Sequence, residues 1–326
     1  MTRRRRLIIA ACAASLGTIA CRSGHAQPRS WRIGLIHVGN DHLPPSYMPL
    51  LDGMRALGYE DGKNIRYDFR NVPDDGAAGE AARTFARDKF DMIIAFDQEA
   101  CLAAKNATAT IPIVMINATS PIAGGFAKTL ARPGGNMTGF AGRAELPAKE
   151  LEMLRDIAPR LKRALLIFDS RDAASLALRD DSRIAASKLG MTLVERDAGD
   201  SAALKALFDK LKHADAEAVL ITSTSVRHRY QKQVLALATA HGMAMIGSRK
   251  DMVEAGALLS YSYDFAKVGR LAASRYVDRI LKGTKPGDLP VEEMTEYQLV
   301  VNRGVAKRHG WTFQESVVLR AERIIE

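Results

Sequence analysis

Apolar and polar positions along this chain alternate between two rhythms. Short runs rich in β-branched residues, such as RIGLIHV (32–38), FDMIIAF (90–96) and IPIVMIN (111–117), carry almost unbroken apolar character. Between them lie longer runs in which alanine and leucine recur every three or four positions, as in PPSYMPLLDGMRALG (44–58), AAGEAARTFARDK (77–89) and QEACLAAKNAT (98–108). The first rhythm predicts buried strands and the second amphipathic helices. NIRYDFRNV (64–72) alternates as a further strand. Strands with no polar face, each followed by a helix, predict a parallel sheet covered on both sides.

The pattern restarts after RPGGN. Helices expected over 147–159, 173–189, 201–212 and 227–241 alternate with strands over 163–169, 191–197, 216–224 and 243–248. A strand (257–264), a long amphipathic helix (265–283), a strand (296–302) and a short final helix remain. A strand–helix–strand unit left over after two complete sheets predicts a chain that crosses back between two lobes. The expected fold class is α/β, with two doubly wound parallel-sheet lobes joined by a multi-crossing hinge. Residues 27–139 and 262–290 are assigned to lobe one, 140–261 and 291–326 to lobe two. The Pro133-Gly134-Gly135 break is expected as the first crossing, with the strand at 137–140 entering the second lobe.

The first 26 residues read as a secretory signal peptide and not as part of either lobe. MTRRRR is a basic head, LIIAACAASLGTIA an apolar core, and SGHAQP supplies small residues for cleavage after Ala26. Cys21 in GTIAC is an alternative lipid-attachment position, and Arg4-Arg5 an alternative twin-arginine signal. Removing the leader deletes five arginines and no acid, so the formal charge falls from +10 to +5. The remaining basic residues form no block, so a nucleic-acid partner loses its main support and none is expected. Only Cys101 is left among the cysteines, so no internal disulfide is expected. About 300 mature residues suit two cores, and the expected location is periplasmic.

Chemistry motifs are informative by omission. The sequence contains no G-x-G-x-x-G after a strand, no P-loop, no G-x-S-x-G, no H-E-x-x-H and no C-x-x-C, so neither a cofactor nor a metal is expected. In open α/β sheets, ligands bind beyond the carboxyl ends of the strands. That rule selects Asn40, Asp41, Asp97, Gln98, Asn117, Thr119 and Ser120 from lobe one, and Ser170, Asp172, Thr224, Ser225 and Ser248 from lobe two. Thr138 and Asp264 come from the joining segments. Such short polar side chains fix a small polar ligand by hydrogen bonds; singly, each also serves as a turn former or helix N-cap. Phe96, Phe140, Tyr261 and Tyr263 lie beside these loops and could stack on a flat ligand. His42 and His228 are the histidines that an exported two-lobed enzyme could use across a cleft.

Five blocks carry a family resemblance: MRALGYEDGKNIRYDFR (54–70), LARPGGNMTGF (130–140), KELEMLRDIAP (149–159), AHGMAMIGSRKDMVEAGALLSYSYD (240–264) and YVDRILKGTKPGDLPVEEMTEYQLVVN (276–302). In order and spacing they resemble ABC-transporter substrate-binding proteins related to tryptophan/tyrosine uptake binders, which have the type I periplasmic binding fold. The resemblance implies a monomeric Venus flytrap with three crossings and one small solute between the lobes. It implies no cofactor and no chemistry on the solute, and as partners a membrane ABC permease and its ATPase. A ligand sensor for a membrane receptor would use the same closure. Two turns depart from the family pattern. FDQEA stands where a Gly-Thr-Pro-like turn is frequent, and NATSPIA where Gly-Asp-Pro-Val is frequent. Both face the expected cleft and imply a changed ligand.

Overall fold

The computed structural model describes residues 30–39, 42–119, 121–142, 146–212 and 215–326, apart from the side chains of residues 174, 224 and 228. The segment 1–26 expected as a leader, Asn40, Asp41 and Ser120 lie outside the described residues, as do the side chains of Thr224 and His228.

The first sheet and its helices take shape from β1 (Trp31–Val38), α1 (Tyr47–Ala56), β2 (Ile65–Val72), α2 (Asp75–Arg87), β3 (Met92–Ala95), α3 (Gln98–Ala107), β4 (Ile113–Ala118) and β5 (Met137–Ala141). Alternation along each strand serves both faces. Ile33 and Leu35 of β1 join one cluster, while Ile36 and Val38 join Phe85, Ile93 and Met115 in another. That is why these runs contain almost no polar residue.

The second lobe follows with α4 (Leu146–Ile157), β6 (Arg163–Phe168), α5 (Ala173–Lys188), β7 (Thr192–Asp197), α6 (Ser201–Lys210), β8 (Ala218–Ile221), α7 (Thr224–Arg229), α8 (Gln231–Ala240), β9 (Ala244–Gly247), α9 (Lys250–Glu254) and β10 (Leu259–Tyr263). Its central strands are divided in the same way, Ala164 and Leu166 to one face, Leu165 and Ile167 to the other. The chain then returns to lobe one through α10 (Phe265–Ala272), a π-helical turn (Ala273–Val277) and α11 (Asp278–Leu281), whose Val268, Ala272 and Tyr276 pack with Leu50 and Met54 of α1. β11 (Glu292–Glu293), β12 (Tyr297–Asn302), α12 (Arg303–Arg308), α13 (Glu315–Arg320) and β13 (Ala321–Ile325) complete it.

Strand order is β11-β5-β4-β3-β1-β2 in a six-stranded sheet and β13-β12-β10-β9-β8-β6-β7 in a seven-stranded one. All pairings are parallel except that of β10 with β12. The chain therefore passes between sheets after β5, after β10 and between β11 and β12. The last two passages run side by side. Asp264 N donates to Glu296 O at 3.1 Å, and Tyr297 stacks on Tyr261 with ring centres 4.9 Å apart. No helix among the described residues is long and apolar enough to cross a membrane.

Several expectations need correction. The Pro133-Gly134-Gly135 break is not a crossing, because β5 pairs with β4 inside the first sheet. Gly134 has φ +72° and donates its N–H to Gly287 O at 3.3 Å, which fastens the turn within lobe one. Strand membership keeps residues 140–141 and 292–293 in the first sheet and 262–263 in the second. The helix expected over 265–283 contains the π turn, and the one expected over 227–241 is divided at Tyr230. α9, β11, α13 and β13 were not expected. β13 is half exposed and lacks an apolar run, so its parallel pairing with β12 decides its conformation.

Candidate functional site

Tight backbone contact sets the wall from which the site is built. Gly139 in β5 has φ +136°, and a Cβ there would meet Met115 O at 2.1 Å, so β4 and β5 approach as only glycine allows. Beyond that contact the pairing slips between Ile116 and Ala118, a bulge that leaves Asn117 in the left-handed region at φ +67°. Bulges re-aim side chains, and asparagine tolerates this backbone better than most residues. Asn117 thereby reaches the space between the lobes.

That space is a cavity of about 110 Å³ open to water-sized molecules and lined from both lobes. Lobe one contributes His37, His42, Ser46, Phe96, Asn117 and Thr119; lobe two contributes Thr222, Arg227 and Ser248 with Arg249. Ser262, Tyr263 and Phe265 come from the second passage, and Leu146, Pro147 and Leu178 close the apolar side. Aromatic and proline surfaces with a few hydroxyl, amide and guanidinium groups suit a flat apolar body bearing a polar head.

Polar groups in the wall are held from behind. Asp97 is completely buried at the N-cap of α3. Its Oδ1 accepts from Ala100 N at 2.7 Å, and its Oδ2 accepts from Val38 N at 2.8 Å and pairs with His37 Nδ1 at 2.8 Å. The carboxylate thus ties β1 to α3 and orients the His37 ring, which meets His42 edge-on at 5.3 Å. Across the cleft, Arg249 is gripped by Asp251 through two contacts of 2.9 and 2.8 Å, and its Nη1 lies 3.0 Å from His42 Nε2 of the opposite lobe. Ser248 Oγ donates to Gln231 Oε1 at 3.0 Å. Arg227 contacts Glu150, whose carboxyl is fully buried, and burial pushes that group up to about 7 although the guanidinium opposes the rise.

A second opening between the lobes, about 730 Å³, has mixed charge and includes Glu99, Asp169, Arg171 and Arg229. Arg229 of α7 bonds Asp75 of α2 there at 2.6 Å, directly bridging the lobes. Glu99 is held up to about 8, first by burial and then by the neighbouring Asp97 charge.

Of the residues selected from sequence, Asn117, Thr119 and Ser248 meet at the central cavity. Gln98, Asp172 and Ser225 border the second opening, where Gln98 Oε1 also accepts from Thr119 N at 3.0 Å. Asp97 stands behind the wall. Thr138 is buried and donates to Leu289 O at 2.8 Å, tying β5 to the returning segment. Ser170 is exposed and bonds Asp197 through its N–H at 3.0 Å, while Asp264 caps α10 by accepting from Lys267 N at 2.8 Å. Phe96 and Tyr263 line the cavity; Phe140 instead packs on Tyr276 at 5.2 Å, and Tyr261 on Tyr297. His37, Thr222, Arg227, Arg249 and Ser262 were missed. The strand-end rule could have found Thr222 and Arg249, which follow β8 and β9 closely. No local signal marks Arg227 inside a helix.

Two α/β lobes with a cavity between them lined from both and repeated passages of the chain define a two-lobed binding protein of the type I periplasmic class. The family model for ABC transporter substrate binding proteins matches residues 35–325, and the chain belongs to that family. It is 29% identical over 264 residues to a tyrosine-binding protein of Clostridioides difficile, covering 79% of this chain and 74% of that one. A conserved domain protein from Vibrio cholerae superposes with TM-score 0.79 at 27% identity, over 91% of this chain and 99% of that one. A Streptococcus pneumonia ABC domain in complex with L-Trp superposes with TM-score 0.80 at 23% identity, over 91% and 100%.

Proposed function

We propose that the protein captures a small solute with an aromatic or otherwise apolar body in the central cavity and hands it to an ABC permease driven by its ATPase. One observation carries this reading: the cavity wall is drawn from both lobes, so a bound molecule bridges them. A solute that touches both halves favours the closed arrangement by its differential affinity, and closure presents a surface that a permease can distinguish. The tyrosine-binding relative and the L-Trp complex support an amino-acid-like aromatic solute. The leader over 1–26 supports export and a periplasmic place of work. The solute leaves unaltered; the cavity's role is selection and release.

Thermal melting of the purified protein with a panel of aromatic amino acids, aromatic acids and polyols tests the reading. A true solute at a hundred times its Kd stabilises by about 2.7 kcal/mol, and small-angle scattering should show compaction with the same compound. Unchanged melting across the whole panel counts against it.

A further inference from the structure

Arg227 is built unlike the other cation of the cavity wall. Arg249 is held on two sides, by the paired contacts to Asp251 and by His42. Arg227 meets Glu150 through one nitrogen only. Its Nε is buried without a hydrogen-bond partner, and Glu150 Oε2 is likewise buried without one. The residue is 9% exposed and is among those that line the central cavity. A guanidinium carries five N–H donors in a planar fork, so this one holds donors in reserve in a setting where an unanswered donor is costly. Among the described lining residues there is no Asp or Glu to repel an incoming anion. Apolar neighbours such as Leu146, Pro147 and Leu178 strengthen any charge–charge contact made there. Resting on the solute-capture reading above, we propose that Arg227 is the anchor for a carboxylate of the solute, and that the cleft selects organic anions with a flat apolar body lodged against Phe96, Tyr263 and Phe265. Planar carboxylates match the guanidinium fork better than any neutral head group. Glu150 acts as a positioning residue that aims the fork.

Isothermal titration with four probes tests this: L-tryptophan, indole-3-propionate, tryptamine and myo-inositol. Both carboxylates should bind, with tryptamine and myo-inositol at least tenfold weaker. The combined variant Arg227→Gln with Glu150→Gln, which leaves no buried charge orphaned, should lower carboxylate affinity by about ten- to one-hundredfold. Arg227→Lys should restore only part, since it keeps charge but loses the fork. If the combined variant does not fold, the probe series on the unaltered protein decides alone. Tryptamine or myo-inositol binding as tightly as the carboxylates, or a folded combined variant with undiminished carboxylate affinity, overturns the anchor while leaving solute capture intact. Silence from all four probes overturns both.

Discussion

Replacing Asp97 by alanine separates a structural carboxylate from a ligand contact. Three donors converge on this side chain: Val38 N, Ala100 N and the His37 ring. Asp97 is 0% exposed, so water cannot simply replace it without opening the wall. Each buried donor left without an acceptor costs about 1–3 kcal/mol. The Ala100 contribution is the helix cap itself, which alone is worth about 1 kcal/mol. Together they amount to roughly 3–7 kcal/mol, against a total stability of about 5–15 kcal/mol for a folded domain. Urea denaturation followed by circular dichroism should show a large fall in midpoint, and melting should drop by about 2–4 °C per kcal/mol for lobes of this size. Asp97→Asn retains one acceptor oxygen and should fall between the two. A loss below about 1 kcal/mol combined with collapsed solute affinity would refute the reasoning, because it would mean that the carboxylate serves the ligand and not the fold.

Gly139→Ala should prevent stable folding of lobe one or cost more than about 3 kcal/mol, since Met115 backbone atoms block the new Cβ and φ is +136°; soluble yield and melting check it. Stability should decline as pH rises from 5 to 8. Glu150 and Glu99 are held up to about 7 and about 8 against an ordinary 4.5, so their unfolded forms ionise first and the stability present below 4.5 is lost through that window. For Glu150 the loss is at most about 3 kcal/mol. The slope should shrink in Glu150→Gln, and a flat profile would count against both burials. Cys101 is fully buried and its thiol is raised by burial, so a chain starting at Gln27 should react with a thiol reagent only in denaturant.

Much of the fold is legible from local pattern. Except for β11 and β13, the strands of both sheets were expected within a few residues of where they lie, because a strand buried on both faces must be apolar at every position, as Ile33–Ile36 and Ala164–Ile167 are. Elements that failed to announce themselves are those whose partners decide them: β13 beside β12, the π turn inside the helix over α1, and the break at Tyr230. The crossing was misplaced for a related reason. A Gly-Gly turn ends one element but does not say which sheet the next strand will join, and it is the hydrogen bonding of β5 to β4 that keeps it in lobe one.

The sequence by itself determined an α/β chain with a leader-like start, no recognisable cofactor motif, and polar residues at strand ends. Tertiary structure decided which of those residues line the central cavity. Asp97 and Asn117 both follow apolar runs, yet one turns into the wall as a cap and the other is swung into the cavity by a bulge. Arg227 and Glu150 stand 77 residues apart and become a site feature only when α7 packs near α4. Periodicity is a local property, whereas a cleft is made by contacts between segments far apart along the chain, and no short window of residues contains both sides of it.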